Sequence, residues 1–442
     1  PCHMSDSRRR FLRQTAMISA GIGIGQSFAS PFFIRSGRAA FGEKIRIGAI
    51  GINGMGWADL NSMLKNNPDT ICTAICDVDA TVMAKRAEQL EKDHKMKPKQ
   101  YADHRALLDD KDVDAVIIGT PDHWHCMQMV EAMQAGKHVY VEKPAGNSIE
   151  EVRLMVAAQE RYGKAVQVGQ WQRSNAHFKS ALAFLQSGKL GKIRMVKTWA
   201  YQGWMKNIPI KPDAAAPAGV DYERWLGPAQ KRAFNPNRFH FNFRWFWDYA
   251  GGLMTDWGVH LVDYALLGMN AGDPKSISAM GGKMAYPDDA AETPDTLATM
   301  YDFGSFVMLW EHAQAIRNGN YGRDHGIAYI GNQATLVLDR GGWEVIPDEG
   351  NKEVYEKVKR SDDGLANHTK NFIEAIKTGN NSILTAPIQA GAKVAEVCQM
   401  GNIAYKRGMK LHWDAANRRF DDAKANKLLK PTYHNGYQLP KI

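Results

Sequence analysis

The sequence predicts an α/β protein in which a doubly wound parallel sheet is followed by a second, larger α/β domain. Three observations carry this. A β-rich run from Lys44 to Ile50 leads straight into Gly51-Ile52-Asn53-Gly54-Met55-Gly56, and Trp57 to Leu64 behind it has helical spacing. Short apolar runs then alternate with helical stretches as far as Gly169, as parallel strands joined by crossover helices do. Finally, 442 residues with 44% hydrophobic side chains exceed one ordinary domain and can bury two cores.

The chain opens on Pro1-Cys2-His3, which reads as a vector-derived scar before Met4. Residues 4–29 read as a twin-arginine export signal: Arg8 and Arg9, a weakly apolar run from Ala16 to Gly25 too short to span a bilayer, and small residues at Ser27-Phe28-Ala29. Cleavage near Ser30 is expected, with an uncleaved anchor as the alternative. The first domain is expected over 42–172 and the second over 173–442.

In the first domain Gly51 permits the tight turn after the strand, and Gly56 lets the next helix pack closely. Asn53 stands where the middle glycine of the fingerprint is usual. Asn tolerates positive φ and Gly54 follows, so the loop is altered rather than lost. The run Thr70–Cys76 ends in Asp77, where an acidic side chain hydrogen-bonds a ribose and repels a 2′-phosphate, so NAD is favoured over NADP. Val113 to Ile118 is a buried strand with Gly119-Thr120-Pro121 as its exit loop. Lys143 ends the apolar strand His138–Val141, where doubly wound sheets place their ligands, and a cation there can stabilise a developing alkoxide. Ala165 to Gly169 closes the sheet, which puts Gln170 and Arg173 at the cleft between domains.

Thr120-Pro121-Asp122-His123-Trp124-His125, then Ala135-Gly136-Lys137-His138-Val139-Tyr140-Val141-Glu142-Lys143-Pro144, then the stretch from Gly251 to Asp263 together resemble the glucose-fructose oxidoreductase and inositol dehydrogenase (Gfo/Idh/MocA) family, in an exported form. The resemblance implies a Rossmann domain followed by an α/β domain with a large, mostly antiparallel open sheet. It implies hydride exchange between a nicotinamide and a carbinol carbon of a sugar or cyclitol. It puts Lys143 at the reacting hydroxyl and makes Asp256 and His260 the proton-transfer group. The expected cofactor contacts are Gly51, Asn53, Gly54, Met55, Gly56, Asp77, Thr120, Pro121, Asp122, His123, His125, Glu142, Lys143, Gln170 and Arg173.

The residues themselves support this chemistry. Oxidising an alcohol requires a proton acceptor at its oxygen, and histidine titrates near neutrality. Asp256 and His260 are four apart in an expected helix, so the carboxylate could orient the ring; Asp263 lies on the same stripe, and spacing does not decide between the two. The expected substrate contacts are Lys143, Arg173, Trp199, Tyr201, Arg244, Trp245, Asp256 and His260, the aromatic ones as a stacking platform for sugar faces. His368 is expected near the cleft, and Ile208 to Gly219, rich in proline, as a loop. Thr296–Tyr301 with Phe306–Trp310, and Ala328–Ile330 with Thr335–Leu338, read as antiparallel pairs.

His123 and His125 lack an acidic or cysteine partner at ligand spacing, so no metal is expected. The formal charge of +9 draws partly on Arg8, Arg9, Arg10 and Arg13, and the densest later basic run, Lys92 to Lys99, is interleaved with acids, which argues against nucleic acid. Cysteine is sparse; Cys72 and Cys76 lie on one strand beyond disulfide reach. The sequence therefore reads as an exported oxidoreductase with resident NAD acting on a small carbohydrate, with the twin-arginine translocase as export partner and a homo-oligomeric (dimeric or tetrameric) state. A glycoside hydrolase or lyase using NAD transiently is the alternative, and a non-catalytic sugar-binding protein the second.

Overall fold

The computed structural model describes residues 44–442; the segment 4–29 read as an export signal and the scar at 1–3 lie outside the described residues. From Ile45 the chain alternates strand and helix: β1 (Ile45–Ile50), α1 (Gly54–Asn66), β2 (Thr70–Cys76), α2 (Ala80–His94), β3 (Lys99–Tyr101), α3 (His104–Asp109), β4 (Ala115–Ile118), α4 (Asp122–Gln134), β5 (His138–Val141), α5 (Ile149–Tyr162) and β6 (Val166–Val168). The six strands form one parallel sheet in the order β3-β2-β1-β4-β5-β6. The order reverses between β1 and β4, so their carboxyl ends open the crevice where such sheets take ligands. Every residue of β4 is buried, as a strand covered on both faces requires. Local signals set the helix starts: Asp79 accepts from Thr81 N and Val82 N, and Ser148 from Glu151 N.

The second part contains α6 (Ala176–Gln186), β7 (Met195–Gln202), α7 (Tyr222–Leu226), α8 (Gly252–Asp256), α9 (Gly258–Gly268), β8 (Ser276–Gly282), β9 (Thr296–Asp302), β10 (Val307–Gln314), β11 (His325–Ile330), β12 (Ala334–Asp339), β13 (Gly342–Pro347), β14 (Val358–Lys359), α10 (Gly364–Thr378), α11 (Ile388–Arg407), β15 (Leu411–Asp414), β16 (Arg419–Phe420) and α12 (Ala423–Lys427). Its ten strands form an open sheet in the order β14-β13-β12-β11-β7-β10-β9-β8-β15-β16. Only β7 and β10 pair in parallel; the other neighbours are antiparallel, including both pairs expected from the sequence.

Strand alternation divides this sheet into two faces. Val196, Ala200, Met308, Trp310, Tyr301 and Ile327 point inward and form one core with Val259 and Val262 of α9 and Val394 and Val397 of α11. The residues between them point outward, where Met280 and Met300 are exposed. Helix α11 also gives Ile388, Ala392 and Ala395 to the core of the first sheet, and α10 adds Phe372 and Ile373 to its other core. Helix α11 thus ties both sheets together and α10 packs on the first, so the boundary at 172–173 does not separate the cores.

Residues 208–219 form no regular element, as their prolines suggest. The segment after them lies on the first sheet: Ala80 N donates to Gly219 O and Asp221 N to Val78 O, both at 2.9 Å. The tail wraps the first domain, with Tyr433 Oη donating to Glu151 at 2.6 Å and Tyr437 packing edge-on to Trp124. Cys72, Cys76, Cys126 and Cys398 are buried free thiols. Among the described residues no helix is long and apolar enough to cross a membrane.

Candidate active site

A cavity of about 370 Å³ runs along the carboxyl ends of β1, β2, β4 and β5. One wall is the turn into α1. Gly51 adopts φ +75°, and a Cβ there would sit 2.7 Å from Thr120 N; a Cβ on Gly56 would sit 2.0 Å from Gly51 O. Both positions therefore exclude any larger residue. Asn53 does not use positive φ as its residue type allowed: it is extended at φ −97°, and Gly54 makes the left-handed step at φ +53°. Its side chain is free to reach across to His240, 3.3 Å away. Gly51, Asn53, Gly54, Met55, Asp77, Thr120, Pro121, Asp122, His125, Glu142 and Lys143 all line the cavity. Asp77 is held by the backbone, accepting from Ile52 N at 2.9 Å and Asp79 N at 3.0 Å.

Beyond the cofactor-sized cleft, Lys143 meets residues of the second domain. Its Nζ donates to Asp256 Oδ1 at 2.8 Å and to the Asp256 carbonyl at 3.1 Å. Arg244 Nε donates to the same Oδ1 at 3.0 Å, so two cations share one carboxylate. Burial opposes the charge on Asp256, but Lys143 and Arg244 outweigh it and hold the carboxyl well below the usual range. Nearby, burial pushes Asp122 up to about 8 and raises Glu142, with Lys143 opposing both. His260 is buried, and among the described residues its Nδ1 has no hydrogen-bond partner. Burial, then the positive charges of Lys143 and Arg340, hold the ring neutral to well below its ordinary value.

Several expectations are corrected. The helix through Asp256 and His260 breaks at Trp257, so α8 ends at Asp256 and α9 starts at Gly258. Asp256 is therefore committed to Lys143 and Arg244, and no hydrogen bond joins it to the His260 ring. Asp263 does not meet the ring either: it binds Arg173 in a fork, at 2.6 and 2.7 Å, which removes Arg173 from the cleft. His123 turns away from the cavity, its Nε2 3.1 Å from Trp225 O, and packs on Tyr249. His368 is a core residue, hydrogen-bonded to Val168 O and Ser174 Oγ. Trp199 and Tyr201 lie on the outer face of the open sheet, because alternation along β7 turns Val196 and Ala200 inward; Trp199 Nε1 donates to Arg323 O, and Tyr201 to Glu311. Trp245 is buried in an aromatic cluster with Trp225, Phe243 and Tyr249.

Gln170 is buried at the end of β6 with neither amide atom partnered. His125 lies between two carbonyls, its ring nitrogens 2.7 Å from Pro144 O and 2.8 Å from Thr120 O. The sequence did not reveal Phe239, His240, Phe241 and Phe243, which line the cavity from the second domain. A 3₁₀ turn over His240–Trp245 brings them there, and Arg244 stacks over Phe241 and Phe243 at 4.7 Å. Its run of aromatic and polar residues carries no periodic signal. Among the described residues no group of three or more His, Cys, Asp or Glu side chains could hold a metal ion.

Two family profiles cover this architecture. The oxidoreductase-family NAD-binding Rossmann fold matches residues 45–170, and the oxidoreductase-family C-terminal alpha/beta domain matches 187–439. The chain belongs to the Gfo/Idh/MocA oxidoreductase family. It is 24% identical over 310 residues to the uncharacterized oxidoreductase YrbE of Bacillus subtilis, covering 67% of this chain and 78% of that one. A shorter match, 29% identical over 174 residues, joins it to an alpha-N-acetylgalactosaminidase of Shewanella oneidensis, covering 36% of this chain and 38% of that enzyme. Among solved structures, levoglucosan dehydrogenase with NADH and levoglucosan superposes with a TM-score of 0.63 at 18% identity, over 84% of this chain and 99% of that one. The WlbA dehydrogenase of Bordetella pertussis, in complex with NADH and UDP-GlcNAcA, gives 0.62 at 17% identity over 84% and 99%. At these identities the superpositions speak for the fold alone.

The Arg173–Asp263 fork beneath the cleft has a measurable consequence. Arg173→Ala leaves a buried carboxylate without its cation, a change that costs about 3–5 kcal/mol in comparable pairs. Denaturant unfolding is expected to show a loss of this size. A variant as stable as the parent but deficient in ligand binding would return Arg173 to the role of a direct contact.

Proposed function

We propose that this chain is an exported oxidoreductase with resident NAD that moves hydride between a secondary alcohol of a sugar pyranoside or cyclitol and the nicotinamide. The carrying observation is the bridge from Lys143, at the tip of a Rossmann strand, to Asp256 of the second domain at 2.8 Å. That bridge puts a cation where the cofactor cleft ends and the second domain begins.

The residues fit the cofactor. Gly51 and Gly56 leave room that a Cβ would fill, and Glu142 Oε1 is buried without a partner on the cavity wall. Gly51, Asn53, Gly54 and Met55 would hold the pyrophosphate at the start of α1, and Asp77 the adenosine ribose. The fixed charge of Asp77 opposes a 2′-phosphate and favours NAD. Thr120, Pro121, Asp122, His125 and Glu142 line the stretch towards Lys143. When bound, the nicotinamide supplies the hydride acceptor.

On the substrate side, Lys143 stabilises the oxygen as its proton leaves. Asp256 holds the ammonium in place. Neutral His260, with Nδ1 unpartnered, is the proton acceptor. Because its charged form is disfavoured well below its ordinary value, the ring stays in its accepting form throughout neutral pH. Exposed Met280 and Met300 on the outer face of the sheet support a dimer or tetramer. The partial similarity to an alpha-N-acetylgalactosaminidase supports a second reading, in which the same residues oxidise a sugar carbon transiently and the glycosidic bond leaves by elimination.

Protein purified without added cofactor is expected to release NAD(H) on denaturation; stoichiometric NADP(H) would overturn the Asp77 assignment. Single-turnover fluorescence with a panel of glycosides separates the two readings: lasting NADH marks a dehydrogenase, and cleaved glycoside with NAD restored marks the hydrolase. In either case His260→Ala is expected to lower the rate of NAD reduction by about 10² to 10⁴ with cofactor retained. Lys143→Ala should be at least as damaging. A His260→Ala variant as fast as the parent across pH would send the proton by another route.

Export is expected to depend on Arg8 and Arg9, which a receptor reads. The double variant Arg8→Lys, Arg9→Lys should remain in the cytoplasm, folded and cofactor-loaded. Its continued export would remove the twin-arginine reading.

A further inference from the structure

Arg340, on the turn between β12 and β13, stands between two indoles. Its guanidinium carbon is 4.4 Å from the ring centroid of Trp257 and 4.9 Å from that of Trp171. Trp257 lies between Asp256 and α9, and Trp171 follows the last Rossmann strand, so the arginine packs against both from a third part of the chain. None of the three residues lines the cofactor cavity.

No carboxylate lies within ion-pair distance of Arg340 among the described residues, unlike Arg173, Arg232, Arg244 and Arg323. Among the described residues its Nε is buried without a hydrogen-bond partner, and its one side-chain hydrogen bond runs from Nη2 to Gln172 Oε1 at 3.5 Å. Around it three more buried nitrogens lack partners: His325 Nε2, Gln172 Nε2 and His260 Nδ1. The rings connect them, with Trp257 edge-on to His325 at 5.0 Å and Trp171 at 6.4 Å from His260. Burial lowers Arg340 to about 10, which leaves it charged at neutral pH.

Such a group is costly to maintain. Buried polar atoms in folded proteins are satisfied almost without exception, and a buried charge is normally paired. The indole faces offset part of the cost and fix the plane of the guanidinium, but they offer no acceptor for its N–H groups. His325 Nδ1 lies 2.6 Å from Asp324 Oδ1, so the donors left over are the guanidinium N–H groups of Arg340 and the amide of Gln172, and one fixed positive charge with spare N–H groups is complementary to a planar monoanion.

We propose that the Trp171–Trp257–Arg340 patch, with Gln172 and His325, is a carboxylate-recognition subsite, and that the substrate is a uronate-type sugar. This rests on the sugar-oxidoreductase reading and names its substrate class. A carboxylate matches the planar fork of one guanidinium and carries one charge, as Arg340 between its two indoles presents one fork. The apolar face of the sugar ring would lie on an indole while His260, on the same patch, reaches the hydroxyl being oxidised. The carboxylate supplies recognition only and is unchanged by the reaction.

The test uses the purified, cofactor-loaded protein with methyl glycosides of glucuronate and galacturonate, their methyl esters and the parent neutral hexosides. Equilibrium binding is measured by calorimetry, and reduction of bound NAD by fluorescence. At least one free acid is expected to bind at least about 30-fold more tightly than its own methyl ester, the scale of a lost charge-assisted contact. Arg340→Gln should abolish that difference while keeping bound NAD, and Arg340→Lys should restore part of it. Should the variants not fold, the comparison of acid with ester on the parent protein still decides. Acid selectivity without reduction of NAD by any sugar would uphold the subsite and overturn the catalytic reading. Reduction by neutral hexosides, with uronates binding no better than their esters, would overturn the subsite and leave the catalytic reading standing.

Discussion

Two cations compete for one carboxylate where the two sheets meet, and most of the cleft's behaviour follows from that. Asp256 receives Lys143 at 2.8 Å and Arg244 at 3.0 Å on the same oxygen. The group of three carries a net positive charge in a largely buried place, and in low dielectric that charge acts on everything near it. Within it Lys143 adds to the burial that keeps His260 neutral, and Lys143 and Arg244 oppose the upward shifts that burial gives Asp122 and Glu142. Because Lys143 belongs to one sheet and Asp256 to the other domain, the contact also fixes how the cofactor side faces the substrate side. Helix α11 makes that arrangement rigid by contributing to a core on each side.

The first domain was legible because its physics is local. A strand, a turn that only glycine can make and a helix fit into about twenty residues, and the acidic end of β2 follows at a fixed remove. The expected runs Thr70–Cys76 and His138–Val141 coincide with β2 and β5. Side-chain direction was less accessible. Asn53 could have taken a left-handed conformation, but Gly54 beside it does so at lower cost. Asp256 and His260 have helical spacing, yet Trp257 interrupts the helix and redirects the carboxylate to Lys143.

The second domain was harder for the same reason in reverse. Trp199 and Tyr201 have the composition of a sugar platform, but alternation along β7 sends them to the far face once Val196 and Ala200 are claimed by the core. Arg173 follows the last Rossmann strand and His123 lies in the motif after β4, which points both to the cleft, whereas their partners, Asp263 and Trp225, come from about 90 and 100 residues downstream. Phe239, His240, Phe241 and Phe243 reach the cleft, and Arg340 its two indoles, only through long-range packing. A lone arginine in a hairpin turn carries no sequence signal; its lack of a carboxylate becomes visible only in three dimensions.

On the proposed function, Lys143 and Asp256 act as one unit in the chemical step. A double-mutant cycle on the single-turnover rate of NAD reduction, using Lys143→Ala, Asp256→Asn and the double variant, tests it most directly. Strong non-additivity is expected, with the double variant little slower than the worse single one, because Asp256 has no ammonium left to hold. Losses that simply add would contradict it and show that the two residues serve the reaction independently.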